Sequence, residues 1–393
     1  MMDIRDIQKN HSPEMALTIL VCRVYLGKAN GIELLDYVTN NAIDWQLFER
    51  IITAHQIRPL IYKTLSAHPS GIDPLFLEKL RKICFRIAKG NLQKLEELVR
   101  LNKLFSEHGV KNVPYKGVIL SQFLFGDYIS RETADIDFLT DAVYFSKAYD
   151  ILAADGYKPR YYNPDFERQF LRTSHELLFS KTTPSGTMQV EIHWAATNQM
   201  MHIPLPNGHI FQNLDTINLL GRDTPILNLE NHFLVLLVHH GVNDIWRTLR
   251  HSLDVSLFLE KYSSAIDWDT FREATSKYKI RHTTAAGFLV SHQLFGTSIP
   301  KPFIPDAGNA DKLLQNLLRF PAIKKRKLNL ENLRQQLFLR DSFTDKLRLL
   351  ASYIQTGVSP NVRDMEAYPV SKKWYALYYF IKPYRILFNR HRQ

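Results

Sequence analysis

The stretch Asp135-Ile136-Asp137-Phe138 decides the fold; it follows Lys116-Gly117 and Arg131 and precedes Val190-Glu191-Ile192-His193. Because side chains alternate along a strand, the two acids project from one face of a predicted strand. Paired carboxylates repel each other unless a cation holds them, and Mg²⁺ prefers oxygen ligands. Glu191 on a neighbouring strand would complete a two-metal site for phosphoryl transfer. The alternative is a strand end whose acids are solvated or paired with Arg131.

The composition is that of a globular protein with a basic surface. The chain has 393 residues, of which 45% are hydrophobic and 23% charged, and its net charge is +11. This length allows two or three domains with their own cores. A basic surface favours nucleoside triphosphates, nucleic acid or an anionic membrane face, although many basic proteins have no such partner.

The cysteines and the N-terminus predict a cytoplasmic protein. Cys22 and Cys84 offer neither a zinc spacing nor a disulfide framework. The N-terminal residues lack the layout of a signal peptide, because Arg23 interrupts the apolar run from Ala16 to Val24. No apolar run approaches the length of a membrane-spanning helix.

Hydrophobic periodicity predicts helices over residues 13–105, the last of them strongly amphipathic and closed by Gly109. A strand (110–115), a helix (118–125), a strand (136–140) and a helix (143–154) follow. Residues 176–181 and 187–194 are predicted to form a hairpin, joined by Thr182-Thr183-Pro184-Ser185-Gly186. From residue 231 onward the pattern is helical again, with helices at 232–240, 246–262 and 268–278. This order predicts an α+β fold with a small mixed sheet between helical regions.

Lys116-Gly117 lies between a predicted strand and a predicted helix. A glycine there lets backbone amides approach a phosphate at the helix N-terminus, and the lysine adds a positive charge. Glu191 alternates with Val190 and Ile192, which suits a third metal ligand; the alternative is a strand glutamate that faces solvent.

The order of strand, Lys116-Gly117, helix, Arg131, Asp135-x-Asp137, helix and hairpin with Glu191 resembles the nucleotidyltransferase-fold superfamily that includes DNA polymerase β. More narrowly, it resembles a poorly characterised bacterial branch with Lys-Gly in place of Gly-Gly or Gly-Ser. Two later groups of residues match that branch, namely His239, Trp246, Leu249-Arg250 and Asp254, and the tail from Pro360 through Asp364 and Pro369 to Arg385.

The resemblance implies a mechanism. Asp135, Asp137 and Glu191 would hold one or two Mg²⁺ ions that bridge a nucleoside triphosphate and activate an acceptor hydroxyl. Attack at the α-phosphate would then transfer a nucleoside monophosphate and release pyrophosphate. Lys116, the Gly117 amide and Arg131 would steady the phosphates.

Several further residues have two readings. His193 shares the face of Glu191 and is either a supporting group of the site or a packed strand histidine, and His175 is similar. For His239 and His240 a core or interdomain position is favoured. Arg247 and Arg250 either reach a triphosphate from the helical region or pair with acids such as Asp244 and Asp254.

The segment from Lys372 to Gln393 mixes aromatic and basic residues. It can make a peripheral membrane contact or stack on nucleic acid, or it can pack its aromatic side chains onto the body of the protein, which is the commoner arrangement.

The sequence therefore predicts a helical region (1–95), a nucleotidyltransferase domain (96–215) and a C-terminal helical domain (216–393). The alternative function is a catalytically inactive nucleotide- or partner-binding protein on the same fold. The acceptor is open: a small molecule, a sugar, a protein hydroxyl and an RNA end all need the same acids. In an active enzyme the carboxylates of Asp135, Asp137 and Glu191 should converge within roughly 4–6 Å.

Overall fold

The computed structural model describes residues 1–304, 330–360 and 362–388. In these residues a five-stranded mixed sheet and a separate two-stranded hairpin are embedded among helices. The α+β class predicted from the sequence is confirmed. The last five residues of the basic and aromatic C-terminal segment lie outside the described residues.

The N-terminal helices begin at residues whose side chains cap them. Ser12, Asn30 and Asp44 each accept hydrogen bonds from backbone amides of the following helix, which satisfies donors that have no partner within it. The helices are α1 (Ile4–Asn10), α2 (Pro13–Tyr25), α3 (Gly31–Asn40), α4 (Trp45–Ala54), α5 (Arg58–Ala67) and α6 (Pro74–Glu107).

The central part of the chain alternates strands and short helices. Its elements are β1 (Asn112–Pro114), α7 (Gly117–Phe125), β2 (Ile136–Thr140), α8 (Phe145–Ala154), β3 (Lys158–Pro159), α9 (Glu167–Thr173), β4 (Glu176–Thr183) and β5 (Gly186–His193). The strand order is β1-β2-β5-β4-β3, in which β2 and β5 are parallel and the other neighbours antiparallel.

The sequence predicted β2 with its observed bounds, but two neighbouring predictions were less accurate. β1 has three residues instead of six, and Pro184-Ser185 alone join the two hairpin strands where five connecting residues were expected. Backbone pairing extends the hairpin to Thr183 and Gly186. The sequence gives no sign of this pairing, because the residues there are polar and show no apolar alternation.

The C-terminal part is mostly helical. It contains α10 (Asn207–Ile210), β6 (Asp215–Leu219), β7 (Arg222–Ile226), α11 (Leu229–Val238), α12 (Leu249–Tyr262), α13 (Trp268–Lys277), α14 (Arg281–Phe295), α15 (Leu330–Phe338), α16 (Phe343–Val358), α17 (Val362–Ala367) and α18 (Tyr378–Phe388). The expected start of α12 at Trp246 is wrong. Ile245 and Trp246 have φ values of 56° and 52°, in the left-handed region, so a right-handed helix begins only at Leu249.

Two hydrophobic cores lie on opposite faces of the sheet. The sheet core, which includes Phe105, Phe138 and Ile192, fills the space between the sheet and α6 and α8. The helical core joins the N-terminal and C-terminal helices and covers Tyr115 and Leu139 on the other face. Asp137 of β2 lies on this second face, so the sheet presents it to the C-terminal helices.

α6 passes from one core to the other. Its buried residues Phe76, Leu80 and Cys84 belong to the helical core, and Leu95 and Phe105 belong to the sheet core. The expected domain boundary at residue 95 thus falls inside a continuous helix. The three-part division of the chain remains a proposal, since the N- and C-terminal helices share one core.

Within the described part of the chain, no helix is both long and apolar enough to cross a membrane. In the C-terminal segment, Tyr378 is fully buried, whereas more than half of the surface of Trp374, Phe380 and Tyr384 is exposed. The segment therefore packs only part of its aromatic surface onto the body, and its membrane contact stays a prediction.

Candidate active site

A cavity of about 150 Å³ lies between the sheet and the C-terminal helices. One wall carries all the residues that the sequence predicted for the site, namely Lys116, Gly117, Arg131, Asp135, Asp137 and Glu191. The other wall comes mainly from α11, the segment after it and the start of α12. Gln56, next to α4, closes one side. The candidate site therefore includes all three parts of the chain.

The acids meet because β2 and β5 run parallel and in register. Asp137 is the direct partner of Glu191 across the two strands, and both side chains point to the cavity face. Asp135 immediately precedes β2 and lines the same cavity. Ligand atoms of Asp137, Glu191 and His193 all lie within 4.8 Å of one another. Asp137 and Glu191 therefore converge as a shared cation site requires, and His193 joins them. The expected convergence of the Asp135 carboxylate with these two stays a prediction.

Lys116 and Gly117 form the turn from β1 into α7, directly beside Asp137. The Lys116 Nζ lies 3.3 Å from Asp137 Oδ1 and 4.8 Å from the centre of the Tyr115 ring, so a carboxylate and an aromatic face both hold the ammonium. Gly117 has a φ of +52°, and a Cβ there would lie 3.1 Å from the Asp135 carbonyl oxygen. Only glycine fits without strain.

His193 is buried between the acids and bonds to two of them. Its Nε2 lies 3.0 Å from Asp137 Oδ1 and 3.2 Å from Glu191 Oε2, and its Nδ1 lies 3.3 Å from Glu176 Oε2. Burial and the Lys116 ammonium oppose protonation, but these three acids outweigh them and raise the pKa of His193 to about 9. His193 therefore supports the acids as a cation.

The charges of the site suit a bound divalent cation. The carboxylates of Asp135, Asp137, Glu176 and Glu191 lie around the cationic side chains of Lys116 and His193. Burial and the negative charges of Asp137 and Glu191 raise the pKa of Asp135 to about 7. Burial opposes ionisation of Asp137 too, but Lys116 and His193 hold its pKa below the usual range. Oxygen donors and excess negative charge fit Mg²⁺ or Mn²⁺.

Arg131 lines the cavity, but its guanidinium points to α12. Its Nη2 lies 2.8 Å from Asp254 Oδ2, and its Nε donates to both oxygens of the same carboxylate. Both residues are buried. The pairing of Arg131 with Asp135 or Asp137, considered from the sequence, is not the one that the structure contains.

The helical wall is built from irregular backbone. α11 ends in a short π-helix, His239–Asn243, which precedes the left-handed residues Ile245 and Trp246. Such π-turns concentrate at functional sites. The Trp246 indole fits over Gly287, where a Cβ would lie 2.4 Å from Cζ2. This packing orients the segment that carries His239 and Arg250 to the cavity.

Sequence reasoning overlooked Tyr115 and Glu176. The Tyr115 ring is buried, lines the cavity and packs edge-on against His193 at a centroid distance of 5.4 Å. Glu176 is the register partner of His193 on β4. The alternation of predicted strands offered a signal for Glu176, because the hairpin places it on the same face as Glu191.

With this geometry in place, the match to known families is decisive. Residues 41–296 match the family described as uncharacterised nucleotidyltransferase. The chain belongs to the uncharacterised nucleotidyltransferase family. The match covers the sheet, the acids and the helical wall up to α14, and it confirms the resemblance to the nucleotidyltransferase superfamily. No curated protein and no solved structure is significantly similar to the chain.

Membership of this nucleotidyltransferase family supports nucleotidyl transfer as the general chemistry of the protein. Nucleotidyltransferases generally use divalent metal ions, and the described residues contain acid and histidine groups that suit one.

Proposed function

We propose that the protein is a magnesium-dependent nucleotidyltransferase that moves a nucleoside monophosphate from a nucleoside triphosphate to a hydroxyl acceptor. The main support for the proposal is the pairing of Asp137 with Glu191 across β2 and β5. This pairing places two carboxylates side by side in a cavity that Asp135 also lines. Lys116 and His193 offset part of the negative charge of these acids, and a bound cation would offset the rest.

In this proposal Asp135, Asp137 and Glu191 hold the metal. A bound Mg²⁺ would neutralise the triphosphate and lower the pKa of the acceptor hydroxyl. His193 keeps the carboxylates of Asp137 and Glu191 in place through its Nε2.

The residues of the turn into α7 face the donor. Lys116 and the Gly117 amide steady the phosphates, and this role agrees with the close approach of Gly117 to Asp135 and Asp137. Arg131 was predicted to join them. Because its guanidinium is bonded to Asp254, Arg131 can contact a phosphate only if the guanidinium binds Asp254 and the phosphate at the same time.

The reaction is a substitution at the α-phosphorus. The acceptor oxygen loses its proton and bonds to the α-phosphorus, and the bond from that phosphorus to the bridging oxygen of the β-phosphate breaks, releasing pyrophosphate. The acceptor is a hydroxyl of a small molecule, a sugar, a protein or an RNA end. The membrane contact of the C-terminal segment is a separate proposal, supported only by its exposed aromatic side chains.

The test is incubation with each α-labelled nucleoside triphosphate, Mg²⁺ and acceptors of the four kinds, with pyrophosphate release and label transfer as readouts. Asp137→Asn should lower the rate by a factor of about 100 or more, since it removes a metal ligand. Asp141→Asn is the matched control, because Asp141 follows the same strand but is exposed and caps the next helical turn.

Nucleotidyl transfer that persists in Asp137→Asn would contradict the assignment of the acids as metal ligands. Nucleotide binding without pyrophosphate release from any nucleotide and acceptor would favour the inactive nucleotide-binding alternative.

A further inference from the structure

Arg250 is a cation at the cavity with no carboxylate partner among the described residues. It is the second residue of α12 and lines the same cavity as Asp135, Asp137 and Glu191. Its Nη1 donates only a long hydrogen bond, 3.4 Å, to the carbonyl oxygen of Glu132, and its Nε is buried without a partner. A guanidinium placed in this way lacks the compensation that buried charges require.

The acids around Arg250 are bound to other side chains. Three carboxylates lie close enough to affect its charge. Two of them are held in ion pairs, Asp254 with Arg131 at 2.8 Å and Glu132 with Arg58 at 2.5 Å, and the third, Asp244, lies 3.3 Å from the imidazole of His239. Asp254 also accepts a hydrogen bond from His240, and His251 lies 3.5 Å from Asp244. These acids therefore have other partners, and the Arg250 guanidinium is available to bind an anion.

The environment of Arg250 favours an added anion. Burial and the nearby charge of Arg131 lower the pKa of Arg250 to about 10, so the group is still charged at neutral pH. It lies in the first turn of α12, where the positive end of the helix dipole adds to its charge. An arginine that served packing alone would more commonly pair with one of the surrounding carboxylates or extend to solvent.

We infer that Arg250 binds the β- and γ-phosphates of the donor, so that the C-terminal helices supply the polyphosphate subsite of the cavity. This inference rests on the proposed function, because it names the part of the substrate that the helical wall holds. Lys116 lies beside the acids, and Arg250 lies on the other wall. The guanidinium offers two parallel donors to phosphate oxygens, which matches the released pyrophosphate as well.

The subsite explains the roles of two arginines. Arg131, which the sequence favoured as a phosphate ligand, neutralises Asp254, and the same contact prevents Asp254 from neutralising Arg250. Arg131 is therefore a positioning residue in this account, and Arg250 makes the contact with phosphate.

The experiment measures binding of inorganic tripolyphosphate to the full-length protein in Mg²⁺ by calorimetry. Arg250→Gln should weaken binding by about tenfold or more, and Arg250→Lys, which keeps the charge but loses the fork of donors, by a smaller factor. Arg247→Gln is the matched control, because Arg247 lies three residues earlier and is not among the described residues that line the cavity. Unchanged affinity in Arg250→Gln overturns the inference.

A second measurement uses the unaltered protein and does not depend on the folding of a variant. Phenylglyoxal modifies accessible arginines, and mass spectrometry of peptides reports each site. Tripolyphosphate should protect Arg250 and leave the modification of Arg247 unchanged. Modification of Arg250 at the same rate with and without tripolyphosphate overturns the inference.

The two proposals fail differently. Tripolyphosphate binding that depends on Arg250, combined with no pyrophosphate release from any nucleotide, supports the subsite and overturns the transferase. Nucleotidyl transfer whose KM for the nucleotide is the same in Arg250→Gln and the unaltered protein supports the transferase and overturns the subsite.

Discussion

Arg131 and Asp254 form a buried ion pair between residues 123 positions apart, with Nη2 and Oδ2 separated by 2.8 Å. Arg131 lies in the loop before β2, and Asp254 lies in α12. Burial opposes ionisation of Asp254, but Arg131 and a hydrogen bond from His240 hold its pKa well below the usual range. The pair joins the two walls of the candidate site, so it helps to fix the distance between the sheet and the helical wall.

Removing one partner of this pair should be strongly destabilising. Asp254→Asn leaves Arg131 charged and uncompensated, and we expect the free energy of unfolding in urea to fall by about 3–5 kcal/mol. Glu49→Gln, which breaks the exposed contact with Lys79, is the control and should cost less than about 1 kcal/mol. Equal losses in the two variants would contradict the importance of the buried pair.

Gly117→Ala should impair both stability and activity. The positive φ alone should cost about 1 kcal/mol, and the new Cβ would press on the Asp135 carbonyl oxygen at 3.1 Å. Gly126→Ala, at the other end of α7, tests the backbone effect alone, because Gly126 has a φ of +78° with nothing within 4 Å of a Cβ. Pyrophosphate release should fall in the first variant only; a similar fall in both would count against a local effect at the acids.

Buried histidines should make the protein acid-sensitive above the usual carboxylate range. Burial lowers the pKa of both His55 and His232 to about 4. The unfolded chain takes up these protons near pH 6.5 and the folded protein does not. Stability is therefore present above pH 6.5 and is lost as pH falls toward 4, by about 1.4 kcal/mol per pH unit for each histidine.

Urea unfolding at several pH values between 7 and 4.5 measures this slope. His55→Asn should flatten it, and its side-chain oxygen can still accept from the Leu249 amide, as His55 Nδ1 does. Replacing the exposed His108 by asparagine should leave the slope unchanged. A slope that His55→Asn does not alter would exclude His55 as its source.

Metal affinity should rise with pH near neutrality. Burial and the charges of Asp137 and Glu191 raise the pKa of Asp135 to about 7, and a carboxyl must lose its proton to bind a metal. We expect Mg²⁺ binding, measured by calorimetry, to strengthen several-fold, up to about tenfold, between pH 6 and 8. Asp135→Asn should bind more weakly and show a flatter pH dependence. The same pH dependence in both proteins would argue against Asp135 as a ligand.

Gly287→Ala should disturb the helical wall. Its Cβ would lie 2.4 Å from Cζ2 of Trp246, so the indole must move, at a cost of about 1–3 kcal/mol in the free energy of unfolding. Gly208→Ala is the control, because nothing lies within 4 Å of a Cβ at that position. Thermal unfolding followed by circular dichroism measures both, and equal melting temperatures in the two variants would contradict the packing argument.

Much of the sheet could be predicted because its signals are local. The alternation of Ile136 and Phe138 with Asp135 and Asp137 reports which side chains share a face, and β2 begins and ends where that pattern predicts. The ends of the hairpin and the start of α12 were harder. The hairpin ends depend on backbone pairing at polar residues, and the start of α12 depends on left-handed φ values at Ile245 and Trp246. Neither feature changes the spacing of apolar residues in the sequence.

The sequence by itself determined the α+β class, the strand that carries Asp137 and the family, because alternation, helical periodicity and motif order are properties of neighbouring residues. Only the tertiary structure decided that His193 bridges Asp137 and Glu191, that Arg131 pairs with Asp254, and that Arg250 has no carboxylate partner among the residues that the structure describes. The physical reason is that charge compensation depends on distance and burial in space. Residues that compete for one carboxylate come from parts of the chain more than a hundred positions apart.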